Sequence, residues 1–161
     1  MERNELCWCG SGKKYKRCHM PIEEKMLMHA ERGEIVPSRS LLKTPAQIEK
    51  IKESAALNTA VLDEVAKHIR IGMSTADIDD IVYRFTTEHG GIPAPLNYQG
   101  FPKSVCTSLN NEICHGIPDK EIFLQEGDII NVDVSTILDG YFSDASRMFK
   151  MGKVSDRAER L

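Results

Sequence analysis

Ile129-Ile130-Asn131-Val132-Asp133-Val134, followed by Asp139-Gly140-Tyr141-Phe142-Ser143-Asp144, decides how this chain folds. Both runs are strand-like, and Asp139-Gly140 between them is a strong two-residue hairpin signal. A turn on those two residues pairs Asp133 with Ser146 and Asp144 with Ser135. The two aspartates then project from one face as diagonal neighbours, ~7–8 Å apart at the backbone. Carboxylates facing each other on a half-buried sheet repel unless a cation lies between them. Ile129, Ile130, Val132 and Val134 predict a strand buried on both faces, where a bare carboxylate is costly. Asp133 and Asp144 therefore read as a metal site, and Asp139 as a solvated turn residue.

Upstream of the hairpin the pattern is helical. Thr44-Pro45-Ala46-Gln47 combines an N-cap threonine, a proline at the first helical position and a glutamine three residues on. Ile48, Ile51, Ala55, Leu62, Val65 and Ile69 follow at helical spacing and predict one amphipathic helix over 45–70, ended by Gly72. Ser74 caps a second helix whose stripe is Ile78, Ile81, Val82 and Phe85, stopped by Gly90-Gly91. Residues 92–102, rich in Pro and Gly, read as an ordered loop. Residues 104–109 and 112–115 read as strands around a tight turn at Asn110-Asn111. Two helices followed by several strands predict an α+β domain. The last residues, from Ser155, read as the opening turn of a helix that stops short.

The chain has 161 residues with 41% hydrophobic content, enough for one domain core. Its net charge of −3 gives no global bias toward nucleic acid or membrane. No apolar run approaches the ~20 residues of a membrane span, and Met1-Glu2-Arg3-Asn4-Glu5 lacks the features of a signal peptide. The expected location is the cytoplasm, where five cysteines read as thiols or metal ligands rather than disulfides.

Residues 1–20 are cysteine-rich, glycine-rich and basic; residues 21–43 read as a linker with a short polar helix over 22–32; residues 44–161 form the main domain. Cys7-Trp8-Cys9 and Cys18-His19 stand at the two ends of a loop containing Gly10 and Gly12. Three thiolates and an imidazole fit a closed tetrahedral zinc site, which can hold a segment too small for a core. Lys13, Lys14, Lys16 and Arg17 favour the thiolate forms, and with Trp8 and Tyr15 they suit contact with RNA or a ribosomal surface. No feature points to a specific nucleic-acid sequence. The block CWCGSGKKYKRCH resembles the SEC-C motif, the zinc-binding tail of the preprotein-translocase ATPase, a partner-binding element without chemistry of its own.

His115 ends the run Asn111-Glu112-Ile113-Cys114-His115-Gly116-Ile117-Pro118 beside a loop, a place suited to proton transfer or to holding a polar substrate group. His29, His68 and His89, on helices or helix ends, read as locally bonded structural residues. Residues 94–106 (APLNYQGFPKSVC), 110–118, 127–133 (GDIINVD) and 139–147 (DGYFSDASR) together resemble the type I methionine aminopeptidases, from about Thr44 onward. Some bacterial members of that family also carry an N-terminal SEC-C segment.

The resemblance implies the N-terminal part of a pita-bread fold and removal of the initiator methionine from nascent polypeptides. It implies two divalent ions ~3.5–4 Å apart that activate a shared water and polarise the peptide carbonyl. Asp133 and Asp144 match two metal ligands, Asp144 being the one that bridges both ions. His115 matches the catalytic histidine at the scissile amide. Tyr98, Phe101 and Cys106 match the pocket for the methionine side chain, where aromatic and sulfur contacts suit a thioether. Gln99 stands where many members have histidine. The carboxylates accept manganese, iron, cobalt or zinc.

The family uses five ligands, and the remaining histidine and two glutamates have no counterpart in residues 145–161. The expectation is therefore a fragment or truncated homologue, inactive alone. Two alternatives are a non-catalytic peptide- or ribosome-binding module with a vestigial aminopeptidase half, and the proline-specific peptidases of the same fold. The His115-Gly116-Ile117-Pro118 context and the Tyr98 loop favour the methionine branch over the latter.

Overall fold

The computed structural model describes residues 1–160; Leu161, the last residue assigned to the main domain, lies outside them. Two compact units make up the chain, Met1–Glu49 and Lys50–Leu161. In the first, a knuckle closes where Leu6 bridges Lys14 and the Cys7 N–H donates to the Lys13 carbonyl at 2.8 Å. Gly10 and Gly12 sit at φ +76° and +72° in this knuckle, conformations that an L side chain resists. Helix α1, Met20–Glu31, starts two residues earlier than the polar pattern predicts and has proline in its first turn. None of its residues is buried. It is anchored through Glu23, whose carboxylate accepts from Trp8 Nε1 at 3.0 Å, the Tyr15 hydroxyl at 2.6 Å and the Arg39 guanidinium.

Helix α2, Pro45–His68, opens with the expected reciprocal cap: Thr44 Oγ1 accepts from the Gln47 N–H and Gln47 Oε1 from the Thr44 N–H. Its buried stripe is Ser54, Asn58, Val61, Leu62 and Val65, whereas Ile48 and Ala55, expected inside, are exposed. Two polar positions in the stripe bond to the sheet. Ser54 Oγ donates to the Thr136 carbonyl at 3.2 Å, and the Thr136 hydroxyl donates to Asn58 Oδ1 at 2.7 Å. Helix α3, Thr75–Glu88, has a capping box between Ser74 and Asp77 and buries Ile78, Ile81 and Val82.

Strands β1 (Ile92–Pro93), β2 (Cys106–Leu109), β3 (Ile129–Leu138) and β4 (Tyr141–Lys150) form one antiparallel sheet. β4 pairs with β3 along its whole length, while β1 and β2 share the other edge of β3 at opposite ends. The hairpin register is the expected one, Asp133 opposite Ser146 and Ser135 opposite Asp144. Asp139 and Gly140 both have positive φ, +50° and +80°, as this turn requires. Gly91 lets the chain pass close under the sheet, because a Cβ there would lie 2.8 Å from Leu57 and 3.2 Å from Thr136. The core joins Val61, Leu62 and Val65 to Ile78, Val82, Ile130, Val132 and Val134. Each such side chain contributes about 1.5–3 kcal/mol on burial.

Two further expectations fail. β3 is buried on one face only: residues 130, 132, 134 and 136 face the core, and 129, 131, 133 and 135 remain half-exposed. Both helices contribute to the core on the even-numbered face, so Asp133 stands on the open side. Residues 112–115 are loop, not strand. The Asn110 side chain donates to Asp128 Oδ1 and accepts from the Ile129 N–H, and Glu112 accepts from the Leu109 N–H. These bonds turn the chain off the sheet, and His115 at φ +56° cannot sit in a strand. Residues 92–102 are loop except for the two residues of β1 and a 3-10 turn over Tyr98–Gly100.

Asn58 gives a direct check on the polar part of the interior. Asn58→Ala strands the fully buried Thr136 hydroxyl and is expected to cost about 1–3 kcal/mol in urea unfolding. Adding Thr136→Val removes the stranded donor and is expected to recover much of that loss. An unchanged midpoint for Asn58→Ala would show that the bond carries no stability.

Candidate metal and peptide site

On the open face of the sheet lies a cleft of about 950 Å³, walled by Tyr98, Phe101, Cys106, His115, Asp133 and Asp144. Each comes from a different local device. β2 sets Cys106 directly opposite Asp133, and β4 sets Ser146 opposite it on the other side. The aromatic loop turns through left-handed backbone at Asn97, Gln99 and Gly100, and Gln99 Nε2 donates to the Tyr98 hydroxyl at 3.3 Å. His115 takes its left-handed conformation just before Gly116, whose N–H bonds to Ser108 Oγ and whose carbonyl bonds to the Thr107 N–H. Gly116 is required there, since a Cβ would lie 2.1 Å from the Thr107 carbonyl oxygen.

The electrostatics favour a cation. Burial and the nearby Asp144 push the Asp133 carboxyl above the ordinary carboxylate range, with His115 opposing. A carboxylate so disfavoured is relieved by positive charge, and oxygen donors suit a hard or borderline divalent ion. Burial first, and then Asp133, pushes the Cys106 thiol up to about 11. It is therefore a neutral wall of the cleft at neutral pH rather than a nucleophile.

Sequence reasoning missed two residues in the cleft, Ser135 and Phe142, and one behind it, Asp79. Ser135 Oγ donates to Asp144 Oδ1 at 2.5 Å. Phe142, 63% exposed, lines the cleft two residues before Asp144, and its place on that face follows from the strand period. Asp79, buried in α3, accepts from the Ser104 N–H at 2.7 Å and pairs with Lys103 at 3.3 Å, tying down the segment that enters β2. A charged residue inside an apolar helix stripe was its signal.

In the first unit the ligand atoms of Cys7, Cys9, Cys18 and His19 all lie within 4.8 Å of one another. Cys7 Sγ and Cys18 Sγ approach His19 Nδ1 at 3.2 and 3.3 Å, and Cys9 Sγ lies 3.6 Å from Cys18 Sγ. The cysteines are free rather than disulfide-bonded. Hydrogen bonds from the Ser11 hydroxyl and backbone pull the Cys9 thiol down to about 6. Three sulfurs and a nitrogen in this space fit zinc. His29, His68 and His89 each have a local partner: Glu34, Glu64 and the Phe85 carbonyl.

Comparison with known proteins agrees with both units. Residues 49–161 match the model of metallopeptidase family M24, and residues 3–21 match the SEC-C motif. A methionine aminopeptidase of Chlamydia trachomatis serovar D is 44% identical over 164 residues, 97% of this chain and 54% of the relative. The crystal structure of methionine aminopeptidase from Rickettsia prowazekii superposes with TM-score 0.72 at 42% identity, over 74% of this chain and 48% of that one. X-Pro aminopeptidase from Thermotoga maritima, 20% identical with TM-score 0.62 over 86% of this chain and 34% of that one, shares the fold alone. The chain spans about half the length of the curated relatives it matches. The architecture is that of the pita-bread fold.

Proposed function

The chain belongs to metallopeptidase family M24, and from that premise we propose that it is the part of a methionine aminopeptidase holding two metal-binding carboxylates and the substrate pocket. The observation that supports this most is the single cleft joining Asp133, Asp144 and His115 to Tyr98, Phe101 and Cys106. Asp133 and Asp144 hold divalent cations. When bound, such cations supply Lewis acidity and lower the pKa of a water molecule. His115, on the wall of the same cleft, bonds the amide of the first peptide linkage through a ring nitrogen. Tyr98, Phe101 and the neutral Cys106 thiol receive the flexible thioether and exclude water around it. Residues 1–20 bind zinc through Cys7, Cys9, Cys18 and His19, with residues 21–43 leading to the peptidase part.

The substrate is the N-terminal methionine of nascent polypeptides, and the place of action is the cytoplasm. Among the described residues no helix is long and apolar enough to cross a membrane. With two of the family's five ligands, the 161-residue stretch alone is expected to release no methionine from a Met-Ala peptide with Co²⁺ or Mn²⁺. Measurable turnover would overturn that part of the proposal. Met-Ala binding should shift the NMR signals of Tyr98, Phe101 and Cys106. Shifts with an Ala-Pro peptide and none with Met-Ala would move the reading to the proline-specific branch.

A second reading, a ribosome-docking role for the zinc unit, draws on the exposed Lys13, Lys14 and Arg17 around the cysteine cluster. Ribosome co-sedimentation that survives deletion of residues 1–20 would count against it.

A further inference from the structure

We propose that Ser135 is a positioning residue for Asp144, fixing how that carboxylate meets a divalent cation. The inference rests on the reading of Asp133 and Asp144 as metal ligands and adds a residue to it. Ser135 sits directly opposite Asp144 in the β3–β4 register, so its hydroxyl reaches the carboxylate without distorting either strand. It donates to Oδ1 at 2.5 Å and lines the same cleft. The Ser135 backbone is held as well, its carbonyl accepting from the Ala94 N–H at 2.9 Å. One oxygen of Asp144 is pinned, and the plane in which the group offers Oδ2 is set.

The other two serines nearby do not do this. Ser146, opposite Asp133, receives the Asn131 side-chain amide at 3.3 Å, and Ser143 faces Ser54 on the core side. Among the described residues Asp133 accepts no side-chain hydrogen bond, so the pair is asymmetric: one carboxylate is held and the other is free to turn. A carboxylate on an extended strand has a freely rotating terminal torsion, and an outer donor that stops it typically carries 10–100-fold in metal affinity.

The test compares Ser135→Thr with Ser135→Val in the full chain, preloaded with Zn²⁺ at the cysteines. Threonine and valine have the same shape and strand propensity and differ only in the hydroxyl. Mn²⁺, which prefers oxygen ligands, is titrated calorimetrically with Asp144→Asn alongside. The expected result is parent-like affinity for Ser135→Thr and a 10–100-fold loss for Ser135→Val. Equal affinities for those two, with Asp144→Asn impaired, overturn the positioning role. Undiminished Mn²⁺ binding by Asp144→Asn overturns the metal reading on which it stands.

Discussion

Chelation of zinc is expected to unfold the first unit of the chain, with Trp8 fluorescence shifting to that of a solvated indole. The reason is the lack of any other core. Among the described residues 1–49, the buried apolar side chains are Cys7 and Cys9, both candidate ligands. The Glu23 bonds to Trp8 and Tyr15 contribute about 1–3 kcal/mol each at most, and the exposed Arg39 guanidinium adds little because solvent screens it. Structural zinc in peptides of this size contributes an apparent ~10–16 kcal/mol at neutral pH. Trp8 is the only tryptophan in the sequence, so its emission reports on this unit alone. It packs against His19 at 4.5 Å between ring centroids and under the Arg39 guanidinium, contacts that vanish on unfolding. Cys9→Ser, which leaves three donors, should reproduce the chelated spectrum. An unchanged emission with four titratable metal-free ligands would exclude a zinc-dependent fold.

The parts of the molecule legible in its sequence are those that local rules dictate. Asp139-Gly140 with period-two alternation determines the β3–β4 register, and the cysteine spacing places four candidate ligands together. In α2 apolar periodicity finds Leu62 and Val65 but cannot see Ser54 and Asn58, which are inside by virtue of their bonds to Thr136. Residues 112–115 depart from the strand pattern for a related reason. Asn110 is bonded to Asp128, eighteen positions away, and nothing local announces that. At the candidate site, Asp133 and Asp144 stand out as charges where apolar residues are expected. Ser135 does not, because its register opposite Asp144 leaves open whether its hydroxyl turns to the carboxylate or to water.

Asp133 itself should trade stability for metal binding. Burial, with Asp144 beside it, raises its carboxyl above the unfolded value, so folding favours the protonated form. At every pH above that raised value the ionised group destabilises the metal-free chain. The penalty fades as pH falls through the raised value toward the ordinary carboxylate range near 3.9. Asp133→Asn removes the penalty, so its urea midpoint without metal is expected to exceed the parent's at pH 7–8, with the difference shrinking on acidification. With Mn²⁺ the order should reverse. Parent chain at a hundred times its dissociation constant gains about 2.7 kcal/mol by mass action, and the variant, lacking a ligand, should gain almost none. Its affinity loss should exceed the 10–100-fold typical of losing an outer donor. A variant less stable than the parent without metal at pH 7–8, or equally stabilised by Mn²⁺, would show that Asp133 is an ordinary strand residue.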